Sequence, residues 1–394
     1  VVDGHAFRIR IPGVEVSVGE ESGMDWRDAR RVVVKVGSAV VAPGGVVDPA
    51  AIGAIADELA GLAKAGVGVA LVSSGAVASG FRALGLGAMP KNIREKQAAA
   101  AIGQPALMRM YVERLATHGV TGAQVLLTAD DFGHRERFLN ARHTLETLMG
   151  AGVVPIVNEN DSVVFDEIKL GDNDRLSALV ASVVDADVLV LLSVAPGLMD
   201  MASGEVIPRV ASVAEARGFV DASQSSGVGT GGMGTKLDAA QIAVEHGIPV
   251  VLTRGPTPAT PDPVGRALRG EAVGTVFEPG PGGGAARKSW IAHAAGVKGT
   301  LVVDAGAVRA LRERGASLLP GGIVRVEGRF EAGAAVEIVA EDGTRIARGL
   351  VSYSASEIGR IRGAKSERIA EVLGYAYADE VVHRDDMRLM GGGA

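Results

Sequence analysis

Apolar residues along this chain come in short, nearly unbroken runs, separated by longer stretches in which they recur every three or four positions. Residues 32–36, 67–72, 125–127, 153–157, 188–192 and 249–253 are runs of the first kind and predict strands buried on both faces. Between them, residues 50–65 carry Ile52, Ile55, Leu59 and Leu62 on one helical face. Helices are also predicted over 138–149, 175–184 and 235–246, and between the second strand and about His118. Strand and helix in alternation imply an α/β fold, a mostly parallel sheet sandwiched by helices.

Past Val276 the pattern changes. Residues 279–284 read PGPGGG, a flexible linker signal, and from Gly299 a short helix and several strands broken by turns follow. Asp342 and Gly343 mark a hairpin among them. The chain therefore divides into an α/β unit over 24–278, a linker over 279–298, a small β-rich unit over 299–380 and a tail over 381–394. Alternation at Phe7, Ile9 and Ile11 and at Val14, Val16 and Val18 suits a short edge strand, but residues 1–23 are read as a poorly ordered extension ahead of Met24.

Composition narrows the classes. A chain of 394 residues that is 47% hydrophobic and 22% charged has the material for two or three packed units and is not a disordered polymer. Aromatic residues are only 4%, which leaves few side chains for base stacking. With no cysteine, disulfides, thiol catalysis and cysteine-built zinc sites are excluded. A net charge of -6 exerts no general pull on nucleic acid or anionic lipid. Charges throughout residues 1–23 leave no signal-peptide core, and an uncharged apolar stretch such as 188–199 is far short of the ~20 residues needed to span a bilayer. A soluble, cytoplasmic protein is expected.

The chemical signals sit where strands end, which is where open α/β sheets bind ligands. Lys35, Gly37 and Ser38 follow the first strand, offering a cation and a glycine-eased approach to an anion. Ser73, Ser74 and Gly75 follow the second and open a helix. Asn158, Glu159, Asn160 and Asp161 follow the strand at 153–157, and Gly171, Asp172, Asn173 and Asp174 precede a helix. Last, Gly229, Thr230, Gly231, Gly232, Met233, Gly234, Thr235 and Lys236 lead into another. Singly, Ser74 and Asp174 are as well explained as helix caps, Asn158 to Asp161 as a polar turn and Lys35 as a snorkelling cation. Lys236 resists that treatment, because a cation in the first turn of a helix opposes the macrodipole and a bound phosphate reverses the sign. Two lysines, glycine-rich anion cradles and a carboxylate able to orient the lysines describe phosphoryl transfer.

Several look-alikes fail on context. Gly227, Gly229 and Gly232 match the dinucleotide fingerprint, yet the residues before them are polar and not a strand. There is no GxxxxGK[ST] sequence. Asp131-Phe132-Gly133 and His383-Arg384-Asp385 imitate protein-kinase motifs in the wrong order. The seven histidines form no HExxH or comparable cluster, so no protein-built catalytic metal site is expected.

The segments VVVKVGSAVV, LVSSGAVASG, FLNARHTL, VPIVNENDSV, IKLGDNDRLSA and GTGGMGTKLDAA together resemble the glutamate 5-kinases of the amino acid kinase superfamily. GASLLPGGI and LGYAYADEVVHRDDM resemble the PUA domain appended to bacterial members. The resemblance runs from about Arg31 to Met387, and NEND with GDND at this spacing separates the chain from acetylglutamate, aspartate, carbamate and UMP kinases. It implies ATP-dependent phosphorylation of the L-glutamate γ-carboxylate, the first step of proline biosynthesis. By the family pattern Ser74, Asp161 and Asn173 hold glutamate, and Lys35 and Lys236 neutralise the transferring phosphoryl group. Asp174 orients those lysines; no general base is needed, since a γ-carboxylate is already ionised at pH 7. Magnesium would be carried by the ATP phosphates. Ser193, Val194, Thr230, Gly231, Gly232, Met233, Gly234, Thr235 and Lys236, with Lys35, would line the nucleotide. Feedback inhibition by proline and a homo-oligomeric state are implied in the same way.

One position departs from the pattern. After the strand at 188–192 the family has Thr or Ser and then Asp, whereas this chain has Ser193 and Val194, so a nucleotide-site carboxylate is missing. A competing class is an RNA-binding or regulatory protein built on the PUA domain. From Gly299 onward, however, 13 Lys and Arg face 14 Asp and Glu, a net of -1, with only Arg360, Arg362, Lys365 and Arg368 as a local basic group.

Overall fold

A computed structural model describes residues 26–132, 135–163, 173–200, 202–220, 232–279 and 297–390. The first part of the chain forms β1 (Arg31–Val36), α1 (Ser38–Val41), α2 (Pro49–Lys64), β2 (Gly68–Ser73), α3 (Ala76–Gly80), α4 (Ile93–Thr117), β3 (Gly122–Leu127), α5 (Arg135–Gly150) and β4 (Val154–Glu159). It continues through α6 (Asn173–Val183), β5 (Val188–Ser193), β6 (Arg209–Val210), α7 (Val213–Arg217), α8 (Met233–Glu245), β7 (Val250–Arg254), α9 (Pro263–Leu268) and β8 (Gly274–Phe277). The C-terminal part comprises β9 (Gly299–Val303), α10 (Ala305–Arg314), β10 (Ile323–Gly328), β11 (Ala335–Ala340), β12 (Arg345–Leu350), α11 (Ala355–Ile361), α12 (Ile369–Leu373) and β13 (Met387–Leu389).

The large sheet runs in the order β3-β4-β2-β1-β5-β7-β8-β6, and every pairing is parallel except β7 with β8. Its two faces bury separate clusters. Val33, Ala70, Val72, Val157, Leu189 and Leu191 pack toward α5, α6, α7 and α8. Val32, Val34, Leu71, Ile156, Val188 and Val190 pack toward α2, α4 and α9. This three-layer arrangement matches the expected fold class, because each central strand is apolar on both faces. The period-2 alternation of a strand also decides where each terminal polar residue goes. Lys35 shares the face of Val33 and meets α6 and α8; Ser73 and Asn158 share the face of Leu71 and Ile156 and meet α4.

The second sheet runs β10-β9-β11-β12-β13 and encloses its own core of Leu301, Val303, Val336, Ile338, Ile346 and Tyr353. Asp342 and Gly343 do form the hairpin turn between β11 and β12, with Gly343 at φ 85°. The sheet reaches past the expected limit at Glu380, because β13 pairs with β12. A three-residue edge strand carries too little alternation to be read from sequence, and the same is true of the two-residue β6.

The two parts touch through α5. Arg142, 2% exposed, donates from Nη1 to Asp386 Oδ1 at 2.8 Å and from Nε to Glu146 at 3.1 Å, and its Nη2 lies 3.5 Å from Asp185. His143 meets the Tyr377 ring edge-on, with centroids 5.6 Å apart. Residues 1–23, Gly227, Gly229 and most of the PGPGGG linker lie outside the described residues. Among the described residues no helix is long and apolar enough to cross a membrane.

Candidate active site

At the carboxyl ends of the central strands the chain brings together a buried charged centre and a buried amide relay. The charged centre begins with Asp174, placed in the first turn of α6, where a negative side chain favours the helix dipole. Its Oδ1 lies 2.5 Å from Lys35 Nζ and its Oδ2 lies 3.3 Å from Lys236 Nζ and 2.6 Å from Thr235 Oγ1. Lys35, Asp174 and Lys236 are all buried. Burial alone raises the Asp174 carboxyl, but the two ammonium groups and hydrogen bonds from Lys35 and Thr235 outweigh it and hold the group at about 2. Lys236 sits in the first turns of α8, whose N-cap is Gly232, so its unfavourable dipole term is offset by Asp174 across the sheet face.

The relay lies beside it. Asn173 Nδ2 donates to Ser74 Oγ and to Asn158 Oδ1, each at 3.0 Å. Asn158 Nδ2 donates to Gln104 Oε1 of α4 at 2.7 Å. The backbone N–H of Glu159 closes the group on Asn158 Oδ1 at 2.9 Å and Asn173 Oδ1 at 3.3 Å. Ser73 Oγ bonds the hydroxyl of buried Tyr111 at 3.0 Å. Gly75 follows with φ 117°, the left-handed conformation that turns the chain from β2 into α3. Behind it α3 and α4 cross so closely that a methyl on Gly80 would overlap the Ala99 carbonyl, and one on Gly103 the Ala76 carbonyl.

Asp161 lies in the turn after β4, half-buried, and desolvation raises its carboxyl to about 6. Ser193 ends β5 and Val194 follows it; Ser193 Oγ accepts from Ala195 N at 3.4 Å, while Val194 is 54% exposed and its carbonyl accepts from Arg254 Nε at 3.1 Å. Met233, Gly234 and Thr235 occupy the start of α8. Thr230, Gly231, Gly171 and Asp172 lie outside the described residues.

Sequence reading thus placed Lys35, Asp174, Lys236, Ser74 and Asn173 in one neighbourhood. It treated Asn158 only as part of a polar segment and passed over Gln104, Tyr111 and Arg254. Strand parity held the clue for Asn158, and a lone polar side chain on the buried face of α4 held it for Gln104. The kinase look-alike at Asp131 is a local turn, its carboxylate taken up by Thr128 N and Oγ1 at 2.7 and 2.8 Å. Among the described residues no group of three or more His, Asp or Glu side chains is placed to hold a metal ion. In the C-terminal part, Arg360 and Arg362 bond the Val372 and Val324 carbonyls and Arg368 bonds Glu371, so three of the four local basic residues serve the fold itself.

A buried carboxylate bridging two lysines at the tips of a helix-covered parallel sheet defines a phosphoryl-transfer enzyme of the amino acid kinase class. Residues 30–254 match the amino acid kinase family and residues 299–373 match the PUA domain. A protein of Trichlorobacter lovleyi called glutamate 5-kinase is 49% identical over 92% of this chain and 98% of its own length. Proteins of the same name from Geobacter sulfurreducens and Thermus thermophilus are 47% and 46% identical, over 91% and 92% of this chain and 97% of their own lengths. The chain belongs to the glutamate 5-kinase family.

Proposed function

We propose that this chain transfers the terminal phosphoryl group of ATP to the γ-carboxylate of L-glutamate, giving L-glutamyl 5-phosphate and ADP in the first step of proline biosynthesis. The observation that carries the reading is Asp174 held between the ammonium groups of Lys35 and Lys236. A γ-carboxylate oxygen forms a bond to the γ-phosphorus while the bond from that phosphorus to the bridging oxygen of ADP breaks, and no proton moves. Catalysis then rests on positioning and charge stabilisation, which two lysines fixed by one carboxylate supply. Ser74, Asp161 and Asn173 hold glutamate, with Asp161 facing the α-ammonium. Lys35, Ser193, Val194 and the residues from Thr230 to Lys236 line the nucleotide.

Magnesium enters with the ATP phosphates. Both Asp174 oxygens are engaged by cations and Thr235, so that carboxylate is not left to coordinate it. L-Proline shares the α-amino acid head group of glutamate and is assigned as a competing feedback inhibitor of the same site. The reading further takes 24–278 as the catalytic unit, the part from Gly299 on, its sheet continuing through β13, as the PUA unit, a cytoplasmic location and a homo-oligomeric assembly. An ADP-release assay across L-glutamate, N-acetylglutamate, aspartate and UMP tests it: glutamate alone supports turnover, and turnover with another acceptor refutes the assignment.

A further inference from the structure

We propose that Gln104 is a positioning residue that fixes the direction of the amide relay and thereby makes Ser74 a hydrogen-bond donor to the carboxylate of the bound amino acid. The inference rests on the assignment of Ser74 and Asn173 to glutamate made above. Its starting point is the backbone N–H of Glu159, a donor that cannot be reversed. That N–H bonds Asn158 Oδ1 at 2.9 Å and Asn173 Oδ1 at 3.3 Å, so both side-chain amides must turn their NH2 groups away from it. Asn158 Nδ2 then points at α4 and donates to Gln104 Oε1 at 2.7 Å. Asn173 Nδ2 donates to Ser74 Oγ at 3.0 Å. A serine hydroxyl that accepts from an amide keeps its own proton to give, and Ser74, half-buried at the end of β2, has that proton left for a ligand.

Gln104 is what holds Asn158 in this sense. It is 8% exposed, and its Nε2 is buried with no hydrogen-bond partner. A leucine or methionine would fill the same space without leaving a buried donor unpaired, which costs free energy. The glutamine adds one thing, a carbonyl acceptor aimed at Asn158. The surrounding sequence supports that aim, because Gly103 lets α4 approach the Ala76 carbonyl of α3. Without an acceptor on α4, the Asn158 NH2 is left buried and unpaired in the present sense, and turned over it opposes the Glu159 N–H and the Asn173 NH2, so neither orientation is satisfied and the relay loses its single direction.

The test compares wild type, Gln104→Met and Gln104→Glu by steady-state kinetics with both substrates and by calorimetric binding of glutamate. Gln104→Met is expected to raise the glutamate KM and Kd on the order of tenfold, the scale of one buried hydrogen bond, with the ATP KM and kcat within about twofold. A glutamate side chain accepts from Asn158 Nδ2 whether ionised or protonated, so Gln104→Glu is expected to keep the glutamate KM and Kd within about threefold of wild type. Unchanged glutamate constants in Gln104→Met, or equal losses for glutamate and ATP, overturn the positioning role. If the methionine variant does not fold, an about tenfold loss of glutamate binding in Gln104→Glu, which keeps the acceptor, overturns it instead. Wild type that neither binds nor phosphorylates glutamate overturns the assignment of the site itself, an outcome distinct from the others.

Discussion

Lys35 Nζ at the end of β1 lies 2.5 Å from Asp174 Oδ1 at the start of α6, and the same carboxylate reaches Lys236 on α8. One anion therefore holds two cations from separate elements at a fixed spacing, in a setting from which water is largely excluded. On the proposed function, two lysines so placed present positive charge to an incoming phosphoryl group without reorganising during the reaction.

Replacing that anion is the sharpest local perturbation. Asp174→Asn keeps the shape and removes the charge, leaving two buried ammonium groups to repel each other. We expect kcat to fall on the order of 10²–10³ with a smaller change in the glutamate KM, the effect of losing preorganised charge stabilisation. A variant with unchanged kcat would show that the lysines do not depend on Asp174.

Asp161 predicts a pH dependence of binding. Burial raises its carboxyl to about 6, so it loses its charge as pH falls through that value. Loss of the anion weakens attraction for the α-ammonium, so the glutamate KM rises below about pH 6 and is flat above it. Asp174, held at about 2, stays ionised throughout and contributes nothing to this limb. Asp161→Asn should raise the glutamate KM at neutral pH and flatten the profile; a retained limb would assign it elsewhere.

Much of this was legible in the sequence. Each of the six apolar runs from residue 32 to residue 253 is a strand of one sheet, because strands buried on both faces leave unbroken apolar signatures. Lys236 stood out singly, as a cation in the first turn of a helix, whereas Lys35 and Asp174 read singly as a snorkelling cation and a helix cap and pointed to a site only in combination. The orientation of Asn158 and the role of Gln104 were not legible. They depend on which face of β4 meets α4 and on how closely Gly80 and Gly103 let two helices cross, facts set by tertiary packing. The seam between the two parts was equally hidden, since nothing in the sequence pairs Arg142 with Asp386, 244 positions further on.

At the proposed nucleotide end, Val194 has no polar side chain, and its carbonyl is already bonded to Arg254 Nε at 3.1 Å. A carboxylate there accepts hydrogen bonds from the sugar or base, which valine cannot do. We expect a high ATP KM in wild type, and about tenfold tighter ATP in Val194→Asp with little change for glutamate. Weaker ATP in the variant would mean that the new acid is consumed by Arg254, a result that Arg254→Ala in the same background would reverse.

The seam predicts a stability effect. Asp386→Ala leaves Arg142 buried with Glu146 and Asp185 but without its 2.8 Å partner, and should cost about 1–3 kcal/mol by denaturant unfolding, the scale of one buried donor losing its acceptor. Truncation near residue 281 should leave a kinase unit that folds but is destabilised, because the same arginine loses its cover. No change on either modification would show that the C-terminal part rests on α5 without supporting it.

Trapping the product tests the central claim most directly. An acyl phosphate reacts with hydroxylamine to give a hydroxamate, so wild type with ATP, L-glutamate and hydroxylamine should yield γ-glutamyl hydroxamate and ADP in equal amounts. Lys236→Ala should lower that rate on the order of 10²–10³ while still binding glutamate. ADP formed without hydroxamate, or hydroxamate formed at the wild-type rate by Lys236→Ala, would contradict phosphoryl transfer to glutamate at the Lys35–Asp174–Lys236 centre.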